Sequence, residues 1–380
     1  MTGDGTVVRN GTVVTPSGVV PNGRVVVAGD RIVAVDGSRT TAGASTRIDA
    51  DGRYVLPGLV DLHGDDVESH LFPRENARID VERALTTCDR ANLAAGVTTK
   101  FHAVAFEDEA AGDRSIECAR EVVDGIVGRD GPIDARVHAR CELTDPGSVA
   151  AVVAAAEEGL PDVVSVMVHA PGTGQFDDAD AFARRYSDGG EVDPATEREL
   201  QRRRGVRSGV LAERFEEVAR AAESAGAMVA SHDDATPGDV EAARDCGASV
   251  CEYPVSMDAA RRANDLGLTT TMGAPNLVRG GSLWGNLDAR RAIGRGVVDA
   301  LCSDYHPPSL LAAAFVDTGE PLPARVARVS AAPAAAAGLD DRGRLEPGAR
   351  ADLLVVDPDP VPTVERAIVA GQEVYELRAD

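Results

Sequence analysis

The sequence predicts an α/β protein: a TIM-type (β/α)8 barrel with a small β-sandwich built from the N- and C-terminal segments. Two observations carry this prediction. In the central part of the 380-residue chain, short apolar runs alternate with helical stretches eight times. At both ends, short β-rich runs are separated by Gly and Asn, as in hairpins. We expect residues 1–55 and 340–380 to form the sandwich and residues 56–339 to form the barrel.

The predicted elements follow from these patterns in chain order. Val- and Thr-rich runs between Gly and Asn residues predict terminal strands at 6–9, 11–15, 23–28, 31–35, 352–357, 364–369 and 373–377. Buried apolar runs predict barrel strands at 55–63, 97–103, 136–143, 163–169, 228–232, 249–253, 268–272 and 299–303. Helical periodicity lies between them, at 81–95, 116–127, 148–158 and 210–225. The charged, Arg-rich insertion 186–209 is predicted to be a solvated helix and loop, with a lid over the site as the alternative.

Composition limits the classes of protein to consider. A hydrophobic content of 43% suffices for a large core, and no apolar stretch approaches the roughly 18 residues of a membrane span. The N-terminus has no basic and apolar leader, so we expect a cytoplasmic protein. The six cysteines form no C-x-x-C pair and are expected to be reduced.

The charge is strongly one-sided. The formal net charge is −23, and Lys100 is the single lysine among 39 lysine and arginine residues. This balance suggests a halophilic protein from a high-salt cytoplasm, because salt screens self-repulsion. It argues against non-specific binding to nucleic acid, and no membrane partner is expected either. An anionic substrate would need local arginines or a metal.

A metal centre is predicted at the carboxyl ends of the barrel strands, where active sites of such barrels lie. His63 and Asp65 are two residues apart on a strand, so both side chains face the same side. Later strands end in four further candidate ligands, namely Glu142, His169, His232 and Asp304. His and carboxylate ligands suit a divalent transition ion such as Zn²⁺ or Mn²⁺.

The candidate ligands also suggest a hydrolytic chemistry. A metal lowers the pKa of water toward neutrality, and Asp304 can accept the proton of that water. Glu142 is the natural carboxylate to bridge two ions; a carboxylated lysine could do so only at Lys100. One ion or two both remain open.

A phosphate site is predicted near the seventh and eighth strands, as is common in such barrels. The loop there contains Arg279, Gly280, Gly281 and Ser282, which offer a planar guanidinium and glycine N–H groups. Arg140 inside the barrel is another candidate. Arg74, after the first strand, is either a phosphate ligand or a surface ion pair.

Several further residues have two interpretations. Asp233 and Asp234 are expected to orient ligands or water from behind, although Asp234 could instead cap the next helix. Glu252 either faces the site or is a buried, paired carboxylate. His70, His102 and His306 are expected not to be ligands. The sequence contains no H-E-x-x-H, G-x-S-x-G, P-loop or G-x-G-x-x-G motif, which disfavours those enzyme classes.

The chain resembles the amidohydrolase superfamily through Gly348–Val355, which is similar to that superfamily's closing sandwich signature. Within the superfamily it resembles the diphosphatases of the carbon–phosphorus lyase pathway. The similar segments span nearly the whole chain: residues 56–65, 140–143, 231–236, 272–282, 303–305, 309–311 and 341–343. Most members of the superfamily have H-x-H after the first strand; this chain and the diphosphatases have H-x-D. Because some relatives have Asn at Asp66, that residue is not assigned to the site.

The resemblance implies a function as well as a fold. His63, Asp65, Glu142, His169, His232 and Asp304 would hold one or two ions, and a small phosphorylated ribosyl phosphonate would be cleaved to release diphosphate. The alternative is hydrolysis of a C–N bond, as in N-acetyl-sugar deacetylases or cyclic amidases. A non-catalytic metal-binding role is a third, weaker interpretation, and assembly into homo-oligomers is left open.

Overall fold

A computed structural model of the chain describes residues 5–37, 46–74, 77–108, 114–170, 174, 198, 201–283 and 285–377. It contains two eight-stranded sheets, one parallel and one built from the two ends of the chain. The predicted fold class is confirmed. The exact division at residues 55/56 and 339/340 stays a prediction, as does the interpretation of the insertion 186–209, most of which lies outside the described residues.

The parallel sheet forms the barrel. Its strands are β6 (Leu59–Gly64), β7 (Val97–Ala105), β8 (Asp134–Glu142), β9 (Val163–Met167), β10 (Met228–His232), β11 (Val250–Glu252), β12 (Thr269–Gly273) and β13 (Ala300–Cys302). Neighbours in sequence are neighbours in the sheet from β6 to β13. The barrel closes where Asp304 N donates to His63 O (2.9 Å) and Asp65 N donates to Asp304 O (3.1 Å). The closing bonds therefore lie among the predicted metal ligands.

Helices follow most of these strands, as the alternating pattern predicts. The helices whose bounds are described in full are α1 (Val67–Leu71), α2 (Val81–Ala94), α3 (Ile116–Val127), α4 (Pro146–Glu157), α5 (Ser208–Ala225), α6 (Pro237–Asp245), α7 (Met257–Asp265), α8 (Ala274–Arg279), α9 (Ala289–Ile293), α10 (Pro308–Phe315), α11 (Leu322–Ala327) and α12 (Ala331–Ala336). Their apolar faces pack on the outside of the barrel, for example through Val122 and Val123 of α3. None of the described helices is long and apolar enough to cross a membrane.

The second sheet combines the two ends of the chain. Its strands are β1 (Gly5–Thr15), β2 (Gly18–Ala28), β3 (Arg31–Asp36), β4 (Thr46–Asp49), β5 (Tyr54–Pro57), β14 (Leu353–Asp357), β15 (Thr363–Val369) and β16 (Gln372–Glu376). The order is β16-β15-β14-β5-β1-β2-β3, with β4 also paired to β1. The sheet curls, because Ile32 of β3 donates to Ala349 just before β14 (2.9 Å). The curled sheet encloses its own apolar core, which includes Val25 and Val355.

The predicted strand 55–63 is in fact two strands in different sheets. Residues Tyr54–Pro57 pair with β14, whereas Leu59–Gly64 begins the barrel. Gly58 makes the crossing: a Cβ there would lie 2.2 Å from Thr98 Oγ1 and 2.9 Å from Asp352 Cβ. The apolar pattern continues across the junction because both strands are buried, so periodicity alone hides the change of sheet.

Candidate metal centre

The predicted ligands gather at the carboxyl ends of the barrel strands, at the floor of a cleft of about 410 Å³. His63, Asp65, His169, His232 and Asp304 all line it, together with Asp233. Asp233, Tyr253 and Asp304 have φ angles of 61°, 52° and 56°. Such left-handed conformations are unfavourable for these residues and are concentrated at functional sites. The strained turns direct side chains into the cleft just after each strand ends.

His169, His232 and Asp233 converge on one point. Asp233 Oδ2 lies 3.2 Å from His232 Nδ1 and 3.6 Å from His169 Nε2, and the three side chains are almost completely buried. Although burial raises the pKa of Asp233, the two histidines hold it well below its usual range. Burial lowers the pKa of His169, but hydrogen bonds to Asp233 and Glu142 raise it to about 9.

These three groups fit a metal ion. Their ligand atoms lie within 4.8 Å of one another. Ligands about 2.1 Å from a tetrahedral ion lie about 3.4 Å apart, which agrees with the two measured separations. Two imidazoles and a carboxylate form a donor set typical of divalent transition ions. Asp233, predicted to act from behind the ligands, thus lies in a ligand position.

Glu142 has a different position from the one the sequence suggested. Its carboxylate accepts hydrogen bonds from Thr144 N (3.0 Å), Thr144 Oγ1 (2.5 Å) and His169 N (3.0 Å), and it lies 3.2 Å from His169 Nδ1. It is fully buried and does not line the cleft. Burial raises its pKa, but His169 and Arg203 lower it to about 2. The geometry therefore gives Glu142 the job of orienting His169, and its role as a bridging ligand stays a prediction.

Glu252 orients the imidazole of His63, as Glu142 orients that of His169. Its Oε2 lies 3.1 Å from His63 Nδ1, and each side chain is only 1% exposed. The bond leaves the other ring nitrogen of His63 for a ligand role. His138 completes a second group that could hold an ion, with Nε2 3.8 Å from Glu252. His138 already bonds Leu62 O and Ser165 Oγ, both at 2.8 Å, so we assign it a structural role beside His63 and Glu252.

Asp304 and Arg140 line the same cleft. Burial and the nearby Asp65 carboxylate raise the pKa of Asp304 to about 8. Arg140 Nη1 lies 3.6 Å from Asp65 Oδ2. Its Nε is buried without a hydrogen-bond partner among the described residues. Arg140 thus brings a positive charge to the cleft beside the candidate ligands, where it would attract an anion.

The bridging lysine alternative is wrong. Lys100 is fully buried below the ligands and binds Asp61 and Asp66 at 2.8 and 2.7 Å. Although burial lowers its pKa, these two carboxylates raise the pKa of Lys100 far above its usual range. The Lys100 amine is engaged by two carboxylates and does not line the cleft, so it is not placed to carry a bridging carboxylate group. Asp66, His70 and Cys88 form a third group of side chains that could hold an ion. The Asp66 carboxylate is already paired with the Lys100 ammonium.

The predicted phosphate residues divide into two sets. Arg140, Arg279 and Ser282 line the cleft, and Arg279 forms no ion pair within the described residues. Arg74 is exposed and lies outside the cleft lining. The glycine interpretation needs correction: the N–H groups of Gly280 and Gly281 both bond Asn276 O and so end α8. These N–H groups are therefore unavailable to a phosphate.

The contacts of Asp234 and the positions of three histidines decide between the remaining interpretations. Asp234 does not cap α6, because Thr236 and Asp239 form that cap. Asp234 instead accepts from Ser231 Oγ at 2.5 Å and so supports the strand end that carries His232. The side chains of His70, His102 and His306 do not line the cleft.

Charged residues that were missed in the sequence include Arg114 and Glu107, which line the cleft, and Arg203 behind them. Arg203, which is 4% exposed, reaches from the insertion to Glu107 and lies 3.4 Å from Glu142 Oε2. Neither Arg203 nor Glu107 belongs to a recognisable motif, and the pairing joins residues 96 positions apart. No signal in the sequence could have shown it.

Comparison with known proteins decides the family. The chain is 31% identical over 322 residues to the alpha-D-ribose 1-methylphosphonate 5-triphosphate diphosphatase of Escherichia coli (strain K12), covering 81% of this chain and 84% of that protein. The chain belongs to this diphosphatase family. No protein-family model matches.

Several solved structures share the fold of this diphosphatase-family chain. One described as an amidohydrolase has a TM-score of 0.62 at 18% identity, covering 98% of this chain and 99% of the other. N-acetyl-D-glucosamine-6-phosphate deacetylase from Mycobacterium smegmatis gives 0.62 at 20%, covering 98% and 100%. N-isopropylammelide isopropylaminohydrolase from Burkholderia multivorans gives 0.65 at 18%, covering 97% and 98%. These likenesses show the fold alone.

Proposed function

We propose that this chain is a metal-dependent diphosphatase that hydrolyses α-D-ribose 1-methylphosphonate 5-triphosphate to the 5-phosphate and diphosphate, in phosphonate catabolism. The substrate comes from the curated relative, whose name states it. The observation that carries the chemistry is the position of Arg140, which lies on the same cleft floor as the His169, His232 and Asp233 cluster. A neutral amide has no need of a guanidinium there.

The charges of the cleft suit a polyphosphate. Arg140 lies deep, beside Asp65, whereas Arg279 is exposed at the rim. Arg140 can bind the oxygens of the phosphoryl group under attack, and Arg279 can bind the oxygens of the leaving diphosphate. They supply the local positive charge that a protein with a net charge of −23 needs in order to bind an anion.

The proposed ligands are His63, Asp65, His169, His232, Asp233 and Asp304, with Glu142 and Glu252 fixing two of the imidazoles. One or two Zn²⁺ or Mn²⁺ ions, when bound, supply positive charge and an acidified water. Asp304 accepts the proton of the attacking water, a new P–O bond forms, and the anhydride P–O bond breaks. Arg140 and Arg279 hold the phosphoryl oxygens on which negative charge develops.

Phosphorus NMR of the reaction tests this proposal. Wild-type protein with Mn²⁺ or Zn²⁺, in high salt, should convert the ribosyl triphosphate to two products, the 5-phosphate and diphosphate. Water enriched in ¹⁸O will show which product receives the new oxygen. Asp304→Asn should lose at least 100-fold in rate.

Asp299→Asn is the matched control, since Asp299 lies at the opposite end of the same strand and bonds Thr270 N (2.8 Å). It should keep wild-type turnover. Intact triphosphate with metal bound, together with cleavage of acyl or cyclic amides, would overturn the proposal in favour of C–N hydrolysis.

A further inference from the structure

The only lysine of the chain lies directly beneath the candidate metal centre. Lys100 is on β7 and is completely buried. A Cβ on Gly64 would lie 1.9 Å from Lys100 Nζ and 2.6 Å from its Cε. The ammonium therefore packs against the backbone between His63 and Asp65. All other cationic side chains of this sequence are arginines, whose wide guanidinium would not fit in this space.

Lys100 binds both ends of the segment that carries these two candidate ligands. Its Nζ lies 2.8 Å from Asp61 Oδ2 and 2.7 Å from Asp66 Oδ1. Asp61 precedes His63 by two residues, and Asp66 directly follows Asp65. The two carboxylates would repel each other in this buried space without the cation. A single ammonium thus fixes the path of the H-x-D segment.

The same network reaches the last strand of the barrel. Asp61 Oδ1 accepts from Ser303 N at 2.9 Å, and Asp61 Oδ2 accepts from Ser303 Oγ at 2.5 Å. Lys100 Nζ also donates to Ser303 Oγ at 3.2 Å. Ser303 is the residue before Asp304. The contact joins the first and last strands directly below His63, Asp65 and Asp304, three of the proposed ligands.

We propose that Lys100 is a positioning residue for the metal centre: through Asp61, Asp66 and Ser303 it sets the distance between the H-x-D segment and Asp304. The inference rests on the proposed metal centre, and it assigns Lys100 no contact with substrate. Its effect is to preorganise the ligands, so that the ion does not have to draw two strand ends together when it binds.

The test is to measure the metal affinity of Lys100→Met by competition with a chelator, for Zn²⁺ and for Mn²⁺. We expect a loss of 10- to 100-fold, the range typical of residues that orient metal ligands. With metal in excess, kcat should fall while KM for the triphosphate stays within twofold of wild type. Urea titration must show that the variant is folded under the assay conditions.

Arg342→Met is the matched control. Arg342 is 6% exposed, binds Asp134 and donates to Thr99 Oγ1 (3.0 Å), one residue before Lys100. Its loss should lower stability but leave metal affinity unchanged. Equal losses of affinity in the two variants, or unchanged affinity in Lys100→Met, would overturn the inference.

Ser303→Ala is the second variant if Lys100→Met does not fold. It removes the hydroxyl but keeps the bond from Ser303 N to Asp61, so a three- to tenfold loss of affinity is expected, and no loss would refute the inference. The wild-type protein separates the two proposals. If it binds metal but releases no diphosphate, the proposed function fails, while the role of Lys100 is still decided by the affinities.

Discussion

Replacing Glu252 tests how the site keeps His63 in a ligand orientation. In Glu252→Gln the side chain keeps its length, and its amide oxygen can still accept from His63 Nδ1. The charge of the acceptor is lost. In Glu252→Leu the acceptor itself is lost, and a buried N–H of His63 remains without a partner.

The structure gives the expected size of both effects. Glu252 and His63 are each 1% exposed and 3.1 Å apart, so solvent cannot replace the bond. Bonds to charged groups contribute about 1.5–3 kcal/mol and are roughly twice as strong as neutral ones. Glu252→Gln should therefore lose about 1 kcal/mol of metal-binding free energy, or roughly fivefold in affinity. Glu252→Leu should lose about 2–3 kcal/mol, or roughly 30- to 150-fold.

Chelator competition on folded, metal-free protein measures these affinities directly. Glu320→Gln is the control, because Glu320 forms a two-bond pair with Arg328 (2.7 and 2.8 Å) outside the cleft. It should bind metal as wild type does. If Glu252→Leu also keeps wild-type affinity within twofold, Glu252 does not orient His63 and the assignment of His63 as a ligand loses its support.

Four further predictions follow from other parts of the molecule. Arg140→Met should lower kcat/KM for the triphosphate about 100-fold, since a charged bond worth about 3 kcal/mol is lost; unchanged kinetics would remove Arg140 from the phosphate site. Burial lowers the pKa of His102 to about 4 from its ordinary 6.5, so its contribution to stability is present above pH 6.5 and is lost as the pH falls toward 4. Between pH 7 and 5 the free energy of unfolding should fall by about 2 kcal/mol because of His102. In urea titrations, His102→Gln should therefore lose about 2 kcal/mol less than wild type over this pH range. An equal loss in the two proteins would contradict a buried, neutral His102. Gly58→Ala should destabilise the fold by about 1–3 kcal/mol because its methyl group would meet Thr98 at 2.2 Å, and an unchanged urea midpoint would contradict this. If the protein is halophilic, its melting temperature should fall from molar to millimolar salt; a constant melting temperature would refute that hypothesis.

The fold could be predicted because its signals are local. Most barrel strands are short buried runs followed by a helix, and such alternation identifies parallel α/β structure. The helix predicted at 116–127 is found at Ile116–Val127. The prediction of a single strand over 55–63 failed because the chain changes from one sheet to the other at Gly58. The strands on both sides of this glycine are buried, so the apolar pattern is not interrupted. Only the neighbours Thr98 and Asp352 show why a glycine is needed there.

The sequence by itself determined which residues could meet, because parallel strands in a barrel place their carboxyl ends at one edge. His63, Asp65, His169, His232 and Asp304 are all found there. Tertiary structure alone decided what each of them does. The Glu142 carboxylate lies 3.2 Å from His169 Nδ1 and outside the cleft lining, whereas Asp233, in a left-handed turn after its strand, lies within reach of both His169 and His232. The pairing of Lys100 with Asp61, Asp66 and Ser303 joins residues up to 203 positions apart, and the energy of a buried charge depends on such neighbours, which no local pattern contains.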